Sequence, residues 1–538
     1  MVTHGGPTLH MARRITSARI FCQTVLVSAG VLLVTILILL LSNNSQGGHR
    51  RRKDNSIDLR ETFLPGDVAG SSNGTNCTRR GIESFPDGVF TNEQRQHGAL
   101  ILNFVVSAYM CGAIAYICSD YFVPSLEILC EKLNLQSDVA GATFMAAGSS
   151  APEFFTAFIG TFISKDDTGV GAIVGSAAFN IFVITSLCCF FAGKSVYLTW
   201  WPFFRDVVVY LISVLLMSIF VLDGRVEWWE GLILALGYVG YIVLLSFNQY
   251  LSSNAERLLS HIKRKNKKNT DESNLTNPNG KIGYGTMKNE PDEVHDIKES
   301  SSLSIESGNH SMPCPRERRQ SSRTDPPEKS VFSSPEGIVW KIIWVFGLPI
   351  IVLLFLTIPD CRRLGWQKRL YMVTFTMSTI WLALSAFVLY WMMTVIGYTL
   401  NIPDTVMGIS VLAAGTSVPD TVASILVVRD GYGDMAISNI FGSNVFEVFV
   451  CLGFLWFIAA FINGPTEIAS EAMAFTTVSL LLTVAFIVFI IYLNGWQLNF
   501  KTGIFCMTVY VCFLVVAILN ELGILGIVEP PTYCKGPT

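Results

Sequence analysis

Long apolar runs separated by short polar connectors make up most of the chain, with one long polar stretch in the middle. Five runs, at roughly 98–118, 139–163, 171–192, 204–222 and 227–247, precede residues 249–336. That stretch is rich in Lys, Asn, Ser, Pro and Glu and has no periodic apolar face, so it is expected to be a disordered loop. Six further runs follow, at 338–357, 370–395, 405–428, 435–461, 472–493 and 502–525. Each is near the ~20 residues an α-helix needs to cross hydrocarbon. The pattern predicts an all-α polytopic membrane protein.

The amino-terminal part carries targeting signals. Residues 20–42 are apolar and preceded by Arg13, Arg14 and Arg19, so 1–42 reads as a signal peptide or signal anchor, cleavage being favoured. Residues 43–97 are polar and contain two sequons, which make Asn73 and Asn76 expected glycosylation sites on the non-cytoplasmic face. From there, five crossings bring the long loop into the cytoplasm, where its Arg257, Lys263, Arg264, Lys265, Lys267 and Lys268 belong. The connector 359–369, with Arg362, Arg363, Lys368 and Arg369, is basic as well and falls on the same side. Segment 337–369 is therefore expected to begin with a re-entrant or interfacial run that turns at Pro349; a full crossing is the alternative. This leaves ten core crossings, in 98–248 and 370–525, and an extracytoplasmic tail 526–538.

Composition agrees. Hydrophobic residues are 51% of the chain, charged ones 15%, and the mean hydropathy is +0.46, against a quarter charged in an ordinary soluble domain. The net charge of −3 offers nothing to nucleic acid; membrane lipid and inorganic cations are the expected partners. Most of the 13 cysteines fall in apolar runs and form no CxxC pair, so they read as small buried hydrophobes rather than metal ligands.

An offset of 267 residues superposes two segments without a gap. Gly141 falls on Gly408, Ala146-Ala147-Gly148 on Ala413-Ala414-Gly415, Ser150 on Ser417 and Pro152 on Pro419. Asp167 meets Asp434, Gly175-Ser176 meets Gly442-Ser443, Phe179 meets Phe446, and the acids Glu153 and Asp420 coincide. This is an internal duplication. The connector 164–170 of the first copy is expected outside and 429–434 of the second inside, so the copies are inverted, as in many secondary transporters whose site lies near the midplane.

The repeated motifs are Gly148-Ser149-Ser150-Ala151-Pro152-Glu153 and Gly415-Thr416-Ser417-Val418-Pro419-Asp420. A carboxylate inside an apolar helix costs at least ~2.5 kcal/mol unless it meets water, ions or partners. No Lys or Arg lies within 139–163 or 405–428 to pair with either acid, so ion ligation is the better reading. Hydroxyls from Ser149, Ser150, Thr416 and Ser417 and carbonyls freed by the two prolines are hard oxygen donors, suited to Ca²⁺, Na⁺ or K⁺. Ordinary helix packing is the competing reading for any one of these small residues; their recurrence in both copies weighs against it. At the next equivalent position stand Asn180 and Glu447, one neutral and one acidic, which adds a third carboxylate in one copy only.

These motifs, with Gly175-Ser176-Ala177-Ala178-Phe179-Asn180 and Gly442-Ser443-Asn444-Val445-Phe446-Glu447, resemble the two alpha repeats of the sodium/calcium exchanger superfamily. The runs 138–147, 199–206 and 433–439 resemble its potassium-dependent branch, and the likeness covers 98–248 and 337–525. It implies the exchanger fold, ten transmembrane helices in two inverted five-helix repeats. It also implies antiport of Na⁺ against Ca²⁺ and K⁺ without a cofactor. The implied central ligands are Glu153 and Asp420, surrounded by Ser149, Ser150, Ser176, Asn180, Thr416, Ser417, Ser443 and Asn444. In that branch the position of Glu447 is an aspartate tied to potassium dependence; the carboxylate here is one methylene longer.

Other readings stay open at this point. Within transporters they are a potassium-independent or proton-coupled exchanger; outside them, a calcium channel, although inverted copies with Pro- and Gly-interrupted helices favour alternating access. No His lies in either repeat, so the nucleophile–base pair of an enzyme is not expected. Cys77 and Cys534, both expected outside, are a candidate disulfide. Arg318-Arg319-Gln320-Ser321 is a candidate phosphorylation motif, the plasma membrane is the expected location with an organelle membrane as alternative, and a homodimer is possible in principle.

Overall fold

The computed structural model describes residues 81–132, 146–192, 195–247, 250–251, 257, 338–361, 370–429, 431, 433–468 and 471–524. The signal segment, Asn73, Asn76, Cys77, Ser321 and Cys534 lie outside the described residues. Eleven helices organise the rest. The first set is α1 (Asn92–Leu126), α2 (Ala146–Ser149, then Ala151–Phe158 running on through Ile159–Ser164), α3 (Thr168–Phe191), α4 (Trp200–Val221) and α5 (Trp228–Ser246). After α6 (Ile338–Thr357) comes the second set: α7 (Tyr371–Leu400), α8 (Asp404–Thr416 and Val418–Arg429), α9 (Gly433–Asn463), α10 (Glu471–Leu493) and α11 (Phe500–Glu521). Residues Val243–Thr324 form a unit of their own, seen here as the helical end of α5 and a few further helical residues. All contacts described below lie within the other unit.

Eight of these helices are long and apolar enough to cross a membrane, nine with the two halves of α8 taken as one span. Helix α2, whose approach at 133–145 is undescribed, is the counterpart of α8 in the 267-residue register. The protein is an integral membrane protein of two five-helix sets.

Four two-residue strands reveal how the sets are related. Strand β1 (Val196–Tyr197) precedes α4, β2 (Arg225–Val226) precedes α5, β3 (Thr466–Glu467) precedes α10, and β4 (Gln497–Leu498) precedes α11. In parallel copies, β1 and β3 would share a side of the membrane. Instead β1 pairs antiparallel with β4, and β2 with β3. Each ladder thus joins the link before the fourth helix of one set to the link before the fifth helix of the other. Only inversion puts those links on the same side, so the geometry of the strands establishes the inverted repeat independently of charge. A cavity of about 250 Å³, lined by Lys165, Asp166 and Asp167 between α2 and α3 and by Thr466 and Glu467 of β3, marks the rim opposite β1 and β4.

On that rim a single 3₁₀ turn, Gly81–Ser84, sits ahead of α1. The Gly81 N–H donates to Asp404 of α8 at 3.1 Å, Ser84 Oγ donates to the Ser164 carbonyl at 3.3 Å, and Phe85 lies against Phe387 and Tyr390 of α7. Beside it, the Asp166 carboxylate accepts from Ser164, from Tyr390 and from the Thr168 N–H. Burial pushes this carboxyl above its ordinary range, and those donors oppose the shift.

Both motif helices are broken where the sequence pattern reads single apolar runs. The breaks fall on equivalent residues, Ser150 (φ −93°, ψ 16°) and Ser417 (φ −78°, ψ 7°), and the halves of α8 bend by 45°. Two residues on, Pro152 and Pro419 lack the N–H that would bond the carbonyls of Gly148 and Gly415. Helix α6 departs from expectation at Pro349 alone, and the interfacial run and the full crossing both stay open. Pro349 does not turn the chain into a re-entrant hairpin: Ile338–Thr357 is one uninterrupted helix. The local adjustment is small. The Ile350 N–H donates to the Tyr109 hydroxyl of α1 at 3.1 Å, and Thr357 accepts from Trp381 of α7 at 3.0 Å.

Close helix contacts hold the centre. Helices α3 and α8 cross at glycines of both copies: a Cβ on Gly175 would stand 2.2 Å from the Ile409 carbonyl oxygen, and one on Gly408 2.4 Å from that of Thr168. Because the obstacle is backbone, no rotamer relieves it. Gly175→Ala is therefore expected to destabilise the protein by about 1–3 kcal/mol, seen as a lower melting temperature in detergent. An unchanged melting temperature would mean that the helices do not meet there.

Candidate cation site

The breaks in α2 and α8 deliver their acids to one place. Glu153 and Asp420 each occupy the first turn of the second half-helix, where the exposed N–H groups and the helix dipole favour negative charge. Glu447 of α9 joins them: the three can each offer a carboxylate oxygen within 4.8 Å of the others. None is more than 1% exposed. The two ion pairs found among the described residues, Arg205–Asp206 and Arg225–Glu467, lie elsewhere. Three acids therefore share a water-poor space with no basic side chain bonded to them.

Helices α3 and α9 widen at matching points. A π-helical segment runs Asn180–Ile184 in α3 and Glu447–Phe454 in α9, beginning at the two equivalent residues whose chemistry differs. Wide turns of this kind recur at functional sites because they redirect side chains and loosen backbone bonds. Here Asn180 Nδ2 donates to Glu447 Oε1 and to Asn444 Oδ1, both at 3.0 Å. Ser176 Oγ donates to Glu447 Oε2 at 2.5 Å, and Asn444 Nδ2 to the Ala177 carbonyl at 3.4 Å. The two positions that break the symmetry of the duplication are thus in direct contact. Across the other pair of helices, Ser417 at the break of α8 donates to Glu153 Oε1 at 3.3 Å.

What remains unsatisfied is informative. Ser150 Oγ, Glu153 Oε2, Asn180 Oδ1 and both carboxylate oxygens of Asp420 are buried without a hydrogen-bond partner, although Ser149 and Asn180 lie close to Asp420. Buried polar atoms are almost always paired. All of these orphans are oxygens, and all belong to the motif positions. Such a set matches the donor requirement of a hard cation and no requirement of a soft one.

Two of the sequence-predicted residues face differently. The Thr416 hydroxyl donates to carbonyls of its own helix, Leu412 at 3.2 Å and Ala413 at 3.3 Å, and Ser443 donates to Ile440 at 3.0 Å. Both are buried beside the motif acids in sequence but make no hydrogen bond to them. Sequence reasoning also passed over Asp206. This buried carboxylate at the start of α4 is held by Arg205, by Ser438 of α9 and by Tyr241 of α5. A charged pair opening an apolar run, Arg205-Asp206, was the available signal.

Comparison with known proteins decides the family. The sodium/calcium exchanger protein family matches residues 103–247 and 370–519, both halves of the duplication. The chain belongs to the sodium/calcium exchanger family. Among members of its potassium-dependent branch, human sodium/potassium/calcium exchanger 5 is 41% identical, the match covering 87% of this chain and 93% of that protein. Human sodium/potassium/calcium exchanger 4 is 37% identical over 88% and 90%, and the rat exchanger 3 is 34% identical over 87% and 91%. Solved structures that resemble this exchanger include the sodium-calcium exchanger NCX_Mj soaked with Na⁺ and Sr²⁺ (16% identity, TM-score 0.41, covering 78% of this chain and 98% of that one). The H⁺/Ca²⁺ exchanger CAX is another (13%, 0.46, 80% and 87%).

Crowding of like charge gives this exchanger's site a signature in stability. Asp420→Asn is expected to raise the melting temperature in cation-free buffer, because one of three mutually repelling charges is gone. The same substitution should flatten the further rise that Ca²⁺ produces in the unaltered protein, weakening apparent binding at least tenfold, ~1.4 kcal/mol. A variant that still responds fully to Ca²⁺ would remove Asp420 from the site.

Proposed function

We propose that this protein is a secondary active antiporter that moves Na⁺ in one direction and Ca²⁺ together with K⁺ in the other, by alternating access at the midplane site. The observation that carries the proposal is the cluster of three buried carboxylates, contributed by both inverted copies and bonded to no basic side chain among the described residues. Three negative charges match one divalent plus one monovalent cation. The same charges accept Na⁺ ions instead, and this competition for one site is the basis of exchange.

In this reading Glu153 and Asp420 hold Ca²⁺ or Na⁺ with Ser149, Ser150 and Ser417. Glu447, with Ser176, Asn180 and Asn444, holds K⁺; Thr416 and Ser443 complete the surrounding oxygens through lone pairs their donated bonds leave free. The relatives named sodium/potassium/calcium exchangers support the choice of ions. The plasma membrane is the proposed location. No catalytic group enters the mechanism: turnover consists of binding, reorientation and release.

Proteoliposomes with independently imposed Na⁺ and K⁺ gradients test the reading. Ca²⁺ uptake is expected to require outward Na⁺ and to rise with K⁺ on the uptake side; uptake indifferent to the Na⁺ gradient would sink it. The division of labour between acids has its own check. Glu447→Gln should weaken or abolish the potassium dependence of Ca²⁺ flux while Na⁺-driven Ca²⁺ movement persists, and an unaltered potassium curve would take Glu447 out of that role.

A further inference from the structure

Tyr210 is a fully buried residue of α4 whose hydroxyl has no hydrogen-bond partner. Leaving a hydroxyl unpaired in an apolar interior is costly. A phenylalanine would fill the same space without that cost, so the oxygen calls for a use. Its surroundings point to one. Helix α4 lies along α9, including the widened segment that begins at Glu447. The rings of Phe203 and Tyr210, two turns apart on α4, both contact Phe441 of α9, at 5.5 and 6.2 Å between centroids. The strands show that α4 and α9 run in the same direction, from the β1–β4 rim to the β2–β3 rim. Tyr210 therefore lies beyond Phe203 along α4 in the same direction in which Glu447 lies beyond Phe441 along α9.

The duplication sharpens the point. The strands flanking the fourth helices are offset by 270 residues (β1 to β3) and 272 residues (β2 to β4), so the counterpart of Tyr210 in α10, the helix packed on α3, falls among Leu480–Leu482. Where the third helix of a set carries neutral Asn180, the helix against it carries an apolar side chain at this level. Where it carries Glu447, the helix against it carries a phenol.

We propose that the Tyr210 hydroxyl is a neutral oxygen ligand of the monovalent cation held at Glu447, and so helps determine which alkali-metal ion that subsite accepts. The inference rests on the exchange reading above and assigns to it a residue outside the repeated motifs. A phenol oxygen is a hard donor without charge. It adds coordination beside Glu447 without increasing the repulsion among the three acids.

Tyr210→Phe keeps the ring and removes only the oxygen. In proteoliposomes, the K⁺ concentration for half-maximal Ca²⁺ uptake should rise at least fivefold, while the Ca²⁺ concentration for half-maximal uptake at saturating K⁺ changes less than twofold. In purified protein, the rise in melting temperature produced by KCl should shrink. Tyr510→Phe in α11, which removes the other buried phenol without a partner among the described residues, packed against Phe179 of α3, is the control and should shift neither constant selectively. An unchanged K⁺ constant in Tyr210→Phe overturns the proposal, and so do K⁺ and Ca²⁺ constants that move by equal factors, the mark of a packing defect. A flat potassium curve in the unaltered protein would instead overturn the exchange reading itself, and this proposal with it.

Discussion

Three carboxylates held within 4.8 Å of one another, beyond the reach of water and bonded to no basic side chain, are the constraint around which the rest of the molecule is arranged. At an effective dielectric near 20, two like charges at that separation repel by roughly 3 kcal/mol, and there are three such pairs. Among the described residues, no basic side chain is bonded to these acids to cancel it. Several features lessen it: two acids lie at the starts of half-helices, Asn180 and Ser176 donate to Glu447, and Ser417 donates to Glu153. The balance comes from bound cations or from protons taken up by the acids. A site that is incomplete without its cargo, yet takes either of two cargoes, is what coupling between ion flows requires.

Duplication explains how one helix break serves twice. The same small-residue motif, inverted, breaks α2 from one side and α8 from the other, so that both half-helix starts converge near the centre. The cost of bringing backbones this close is seen at Gly175 and Gly408, where not even a methyl group fits. Symmetry would then make a site with two acids. The departure from it, glutamate against asparagine, is located where both third helices widen into π turns, so the extra charge is introduced with backbone already loosened around it.

Much of this was legible in the sequence, because the register of the copies has no gap. It aligned Glu153 with Asp420 and exposed the mismatch of Asn180 and Glu447. It could not reveal that the mismatched residues touch each other, since alignment relates positions and not neighbours. Pro152 and Pro419 announced the interruptions of α2 and α8, but not that the chain bends two residues earlier, at Ser150 and Ser417. Pro349, by contrast, misled. A proline mid-run suggests a turn, but the Tyr109 hydroxyl accepts from the Ile350 N–H and α6 continues through it. Tyr210 gave no signal at all, as one tyrosine in an apolar helix is ordinary until its oxygen is found without a partner.

The four short strands, each two residues long, have an effect out of proportion to their size. Each rim of the molecule is stitched by one ladder, and each ladder joins the two copies. Together they tie α4 to α10, which it packs against, at both ends. Helices α1 and α7, which carry no strand among the described residues, lie against one another. Two helices fastened to each other at both ends, as α4 and α10 are, are constrained to move together.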